Sequence, residues 1–422
     1  MINTKVYPNG LRLVVDEMKN FESCAFHILV CTGSVNEDES NYGISHFIEH
    51  MLFKGTEKRT ASQIVRELDS LGANVNAYTD KSETVYYTKS TGDNVESCVE
   101  ILSDMLYNSV FDEKEMSREK KVVLEEIAMY QDDAFSCAEM LASSSFYCGT
   151  PYAPDVAGTK KSVRGIKRKD IKEYMQRFYT PSNIVISFAG NITLKKAEKL
   201  VEKYFKTDEC LNNAKTELKK CSPTIKSKVS KKYKDNEQSH ICITYPALDL
   251  NDERRTALNV FNIAWGGGMS SLLFQVIREK LGLVYSIGCS AGANTAGGDT
   301  TIHFATTDKN VPVALKTIRQ IIDEIVKNGI PEKTFETAKK YYMNSLKLAY
   351  ENTSAVSLAN AKRLAYLNKV TTKQEIVEKI EKVTNNDVSE LVKKIYNNEN
   401  FTISYVGKNT KRDLLKCYIE NN

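Results

Sequence analysis

Residues 46–50 read HFIEH, and three of those five side chains belong to types that bind and work a metal ion. On a helix His46, Glu49 and His50 fall at i, i+3 and i+4, so their side chains converge on one point. Two imidazoles one turn apart are a common start to a zinc site. A carboxylate beside them that is not needed as a ligand can serve a metal-activated water. This H-x-x-E-H order is the reverse of the more familiar H-E-x-x-H. The competing reading is a surface helix that carries two histidines by chance. It must account for two of the chain's five histidines standing here with a glutamate between them. A site of this kind also needs an anionic ligand from another segment.

The surrounding pattern supplies a helix to hold the group. Within 42–56, Ile44, Phe47, Ile48, Met51 and Leu52 recur at helical spacing and form an inward stripe opposite His46, Glu49 and His50. Before it, LRLVVDE after Asn9-Gly10 reads as an alternating strand, and 24–34 as a second strand with almost continuous apolar residues. His27 lies in that second strand and reads as a core or sheet-face histidine. After it, Thr60 caps a helix through Ile64, Leu68 and Leu71 that stops at Gly72. Residues 73–90 read as two strands with a turn near Asp80-Lys81, and 95–106 as an amphipathic helix.

A helix predicted over 113–130 has Met116, Val123, Ile127 and Tyr130 on its inward seam, and Glu119 and Glu126 fall on the same seam. Carboxylates among apolar residues are costly unless paired or bound to a cation. Alone, a salt bridge would be the better account. Beside a helix that offers two histidines and needs an anionic ligand, a metal is the better one.

The pattern then repeats. Residues 180–191 form a strand entering a helix at 193–205, and SHICITYPALDL at 239–250 echoes the strand at 24–34. Gly190 and Gly407 end matching strands 217 residues apart, and the helix starting at Pro331-Glu332 echoes the one at Asp112-Glu113 at an offset of 219. Two landmarks at nearly one long offset imply a duplicated domain. The expected organisation is a catalytic domain over 1–206, a lysine-rich linker over 207–232 and a second copy over 233–422. Both should be α+β, with mostly antiparallel sheets packed with helices. The second copy has no H-x-x-E-H, and Ser345 stands where Glu126 would be. Its distinctive stretch, 265–288, has three consecutive glycines but no Gly-Lys-Ser/Thr, so a tight turn into a helix is expected, with Phe274 and Ile277 inward. Arg278 and Tyr285 would follow at the helix end and on the next strand. For Arg278 a surface salt bridge is an equal account.

Composition narrows the function classes. A net charge of +4 over 422 residues does not suggest nucleic acid, and the lysines at 215–234 read as a solvated linker. No run approaches the roughly 18 apolar residues of a membrane span. The N-terminal stretch lacks a signal-peptide pattern, and the ten cysteines contain no C-x-x-C. A cytoplasmic protein with neither nucleic-acid nor membrane partners is expected.

HFIEHMLFKGT, NAYTDKSETVYY, REKKVVLEEI and GGGMSSLLFQVIREKLGLVYS together resemble the pitrilysin (insulinase, M16) family of zinc metallopeptidases, in its short bacterial and mitochondrial-processing-peptidase-like branch. The resemblance implies one zinc ion per chain held by His46, His50 and Glu126. It implies Glu49 as general base, with Glu119 supporting the site. Asn76 and Ala77 match the edge strand against which relatives lay an extended substrate. Arg278 and Tyr285 match a pair that binds substrate backbone near the scissile bond, with Tyr285 a candidate to stabilise the oxyanion. The family's fold implies a clamshell whose two domains enclose a chamber for unfolded peptides, working as one chain, as a homodimer or with a related partner chain. A dedicated leader or presequence processing peptidase and a non-catalytic peptide-binding subunit are the alternatives.

Overall fold

The computed structural model describes residues 2–205, 207, 228–295, 297–396 and 400–419. They form two compact units, each an α+β assembly around one mostly antiparallel sheet. Unit 1 holds strands β1 (Ile2–Val6), β2 (Arg12–Glu17), β3 (Ser23–Val30), β4 (Asn74–Thr79), β5 (Thr84–Thr91) and β6 (Ile184–Gly190). Their order is β1-β2-β6-β3-β5-β4, and all pairs are antiparallel except β2 with β6.

The near-continuous apolar run in β3 has a plain cause: both faces of this sheet are covered. Leu13, Val15, Phe26 and Ile28 point into a core built with α1 (Ile44–Leu52), α2 (Ala61–Ser70), α3 (Val95–Asn108) and α4 (Glu113–Asp132). The alternate residues Val14, Leu29, Val85 and Val185 meet Ala361, Leu364 and Ala365 of the helix Thr353–Leu367. The end of that helix is held by the buried guanidinium of Arg12, which donates to the carbonyls of Leu364 and Ala365 at 3.1 Å each. A cation on the last free carbonyls of a helix satisfies both the orphaned acceptors and the helix dipole.

Unit 2 holds β7 (Val229–Tyr233), β8 (Gln238–Ala247), β9 (Ser286–Asn294), β10 (Gly297–Thr307) and β11 (Thr402–Gly407) in the order β7-β11-β8-β10-β9. Its main core joins Ile241, Ile243, Phe261, Trp265, Ile318 and Ile403, among others. On the opposite face, Cys242 and Val406 pack under Cys137, Ala138 and Ala142 of α5 (Ala134–Phe146).

Taken over the described residues, unit 1 runs over Met1–Ile127, Pro154–Leu218 and Leu348–Thr372, and unit 2 over Ala128–Ala153, Lys219–Lys347 and Lys373–Asn422. These are not the contiguous segments expected at 1–206 and 233–422. The helix starting at Thr353 lies 219 residues after the one starting at Ala134, so the repeat's equivalent helices are exchanged between units. A sheet with two apolar faces needs a second cover, and each sheet takes it from the other half of the chain. Most of the expected linker lies outside the described residues, and its last part, from Val229, is already strand β7.

The predicted cap at Thr60 is a full capping box with Gln63, and Gly72 adopts φ +60° at the stop. Two inward assignments fail. Tyr130 is exposed, because the α4 seam into unit 1's core ends at Ile127, and Phe274 is only half-buried while Ile277 is fully buried. Among the described residues no helix is long and apolar enough to cross a membrane.

Candidate metal centre

Helix α1 is placed from both its side and its end. Ile44, Phe47, Ile48, Met51 and Leu52 are buried, so His46, Glu49 and His50 face away from the core, each half-buried. At the N-terminus the Glu37 carboxylate accepts hydrogen bonds from the amides of Gly43 (2.7 Å) and Ser45 (2.9 Å). A negative group there satisfies free amides and complements the helix dipole. Gly43 is required: its φ is +90°, and a Cβ would stand 2.5 Å from the carbonyl oxygen of Ala157. Burial pushes the Glu37 carboxyl up to about 7 in spite of its amide donors.

Helix α4 turns Met116, Val123 and Ile127 into the core, which brings Glu119 and Glu126 towards α1 and leaves Glu125 exposed. Glu126 Oε2 stands 3.4 Å from His50 Nε2 and 3.7 Å from His46 Nε2. Ligand bonds of about 2.0–2.1 Å in a tetrahedral site put neighbouring donor atoms about 3.3 Å apart. All three donor atoms fit within 4.8 Å of one another, and this is the one His/Cys/Asp/Glu group of that kind among the described residues. Donor type and spacing therefore fit zinc.

The next layer fixes His50. Its Nδ1 is 2.9 Å from Glu119 Oε1, and the other oxygen of Glu119 is 2.8 Å from Lys54 Nζ. A carboxylate on the far ring nitrogen sets the tautomer and aims the near one, as in carboxylate–histidine–metal arrangements. Burial disfavours the charged form of His50, but Glu119 and Glu126 outweigh it and raise its pKa to about 9. For His46, burial and then neighbouring His50 lower the value to about 4. The two carboxylates thus favour a cation at the point where the imidazoles meet. Burial also raises the Glu49 carboxyl, opposed by a hydrogen bond that Thr79 Oγ1 donates to its Oε2 at 2.6 Å.

Residues 12–160 match the family described as Insulinase (Peptidase family M16), and residues 165–342 match Peptidase M16 inactive domain. The chain is 34% identical over 407 residues to the uncharacterized zinc protease YmxG of Bacillus subtilis (strain 168), covering 96% of this chain and 98% of that one. The chain belongs to the M16 peptidase family. An uncharacterized zinc protease of Rickettsia felis is 30% identical over 97% of this chain and 98% of its own length. The fold matches a crystal structure of a peptidase M16 inactive domain from Pseudomonas fluorescens, with TM-score 0.89, 19% identity and coverage of 97% and 98%. The M16 match splits as the metal residues do, with His46, His50 and Glu126 all inside 12–160.

The remaining predicted residues divide between the units. Asn76 and Ala77 lie on β4, one of the two edge strands of the unit 1 sheet, and the Asn76 side-chain oxygen accepts from the Ala77 amide at 2.8 Å. Arg278 and Tyr285 lie in unit 2, Arg278 at the end of a π-helical segment over Phe274–Lys280 and Tyr285 one residue before β9. The Arg278 guanidinium lies over the rings of Phe274 (4.6 Å) and Tyr285 (5.7 Å), and the Tyr285 residue is largely exposed. Sequence reasoning missed Glu37, Lys54 and Thr79. Glu37 sits in a loop where no periodicity marks it. Thr79, three residues after Asn76 on the predicted strand, could have been found by asking what faces Glu49.

Proposed function

We propose that this chain is a zinc-dependent endopeptidase that cleaves unfolded peptides. The observation carrying the proposal is the convergence of both imidazole Nε2 atoms on the Glu126 carboxylate, with the Glu49 carboxylate beside them on the same helix face. His46, His50 and Glu126 would hold one zinc ion, which when bound supplies a Lewis acid for the scissile carbonyl and acidifies a water. Glu49 takes the proton of the attacking water and delivers it to the leaving amine. Glu119 holds His50 in the tautomer that presents Nε2, and Lys54 holds Glu119.

Strand β4 is the substrate's seat in this proposal. No described strand pairs with its outer edge, so an extended peptide can add there through backbone hydrogen bonds, which tolerate many side chains. In the free chain Asn76 covers the Ala77 amide, and an incoming carbonyl would take its place. Arg278 and Tyr285 bind substrate backbone, with Tyr285 donating to the oxyanion.

The test is hydrolysis of a quenched peptide of about 10–20 residues, long enough to form a strand of ordinary length, by the purified chain with and without a chelator. Glu49→Gln should keep its zinc and lose activity by about 10²- to 10⁴-fold, the range for a general base. Many cuts in a peptide mixture support general turnover, and one or two support a processing peptidase. A wild-type chain that holds zinc and cuts nothing would replace general turnover with a required partner subunit or a narrow substrate, and a wild-type chain without zinc would overturn the site itself.

A further inference from the structure

We propose that Thr79 positions the general base, so that the strand seating the peptide also holds the group that moves the proton; this rests on the peptidase reading above. Among the described residues Thr79 is the one hydrogen-bond donor to Glu49, at 2.6 Å from Oε2. A glutamate on a helix face has three rotatable bonds, and a base that swings spends little time within reach of the proton it must take. The hydroxyl fixes one carboxylate oxygen. The other has no donor among the described residues and is the one left to accept a proton.

Thr79 is itself held from several sides. It ends β4 in register with Thr84, and the turn beyond closes through the Asp80 amide donating to the Glu83 carbonyl at 2.8 Å. The carbonyls of Asp80 and Lys81 accept from the amides of Ser34 (3.3 Å) and Val35 (2.9 Å). Buried Glu83 accepts from Tyr78 (2.8 Å) and Tyr366 (2.7 Å) and pairs with Lys362 (2.5 Å). A β-branched side chain on so fixed a backbone has little freedom about χ1. Asn76 and Ala77 lie on the same six-residue strand, so a peptide that pairs with its edge stiffens the backbone from which the hydroxyl projects.

Thr79→Val keeps the shape and removes the donor, and Thr79→Ser keeps the donor. Both would be measured with wild type, Glu49→Gln and Thr79→Val/Glu49→Gln for kcat, KM, zinc content and thermal midpoint. Thr79→Val should lower kcat by about 10- to 100-fold, the scale of a small misplacement of a reacting group. KM and zinc content should stay at wild-type values, and Thr79→Ser should restore most of kcat. A merely structural role would instead lower the midpoint and zinc content without rescue by serine. Wild-type kcat in Thr79→Val, or a loss of kcat that serine does not restore, overturns the proposal. If wild type cuts nothing, the peptidase reading fails, and the midpoints decide the positioning contact separately. Shifts for Thr79→Val and Glu49→Gln that do not add uphold it, and additive shifts overturn it.

Discussion

Strands β2-β6-β3-β5-β4 of unit 1 and β7-β11-β8-β10-β9 of unit 2 lie in the same spatial order, each with a single parallel pair at the same place. The helices that cover their second faces are repeat equivalents as well, exchanged between the units. Yet one unit brings two imidazoles and a carboxylate together, and the other has Ser345 at the position of Glu126. The apolar pattern that builds the sheet is thus independent of the few polar residues that could do chemistry on it. A domain can lose a metal centre while its core is retained, because those side chains sit on helix faces turned away from that core.

The comparison predicts a sharp asymmetry between substitutions. His50→Ala should abolish zinc binding and lower peptide hydrolysis by at least on the order of 10³-fold, at or above the cost of losing one well-placed catalytic donor. Tyr285→Phe in unit 2 should leave zinc content unchanged and lower activity about tenfold, the worth of one hydrogen bond. Zinc content and initial rates on the same preparations check both. Equal losses would break the division of labour between the units.

A second asymmetry concerns acid. His27 is buried under the helix Thr353–Leu367, with Nδ1 3.0 Å from Ser357 Oγ and its ring stacked on Tyr87 at 5.0 Å. At the matching register of unit 2, opposite Ser404, stands Cys242. Burial pushes the His27 pKa down to about 3, below its ordinary 6.5. The unfolded chain therefore binds this proton more readily than the native one. Stability is full above about pH 6.5 and falls as the pH drops towards about 3, by an amount on the order of a few kcal/mol. Half-buried His240 and His303, whose pKa values burial also lowers, contribute in the same direction in unit 2. The chain's one tryptophan, Trp265, is buried in unit 2, so its fluorescence follows that unit while circular dichroism follows both. His27→Gln should move the acid transition seen by circular dichroism to lower pH and leave the tryptophan transition in place. A shift in both would show that the units do not unfold separately.

What was legible in the sequence was periodic or locally chemical. The α1 stripe, the Thr60 cap, the strand pair around Asp80 and the Glu119/Glu126 seam all rest on spacings within about two turns or one hairpin. The duplication was legible because two landmarks share one offset. The helix exchange was not, because an amphipathic helix carries no mark of which of two similar sheets it will cover. Arg12 shows the same limit: its partners are carbonyls 352 and 353 residues away, and nothing near position 12 announces them. Glu37 and Thr79 were missed because they act through loops and a strand end, where neighbours in space are distant in sequence.

The smallest expected effect is the most direct test of why the described residues of unit 2 bring no metal group together. Ser345→Glu restores on the helix Glu332–Ala349 the carboxylate that α4 carries at the equivalent place. Ser345 is half-exposed, so the substitution should change stability by no more than about 0.5 kcal/mol. It should add no zinc. One carboxylate cannot replace a set of converging donors, and the second copy has no H-x-x-E-H to supply a histidine pair. Metal analysis should return one zinc per chain before and after the change. A second zinc in the Ser345→Glu protein would mean that other donors of unit 2 already converge near that helix, and that a single residue separates the two halves.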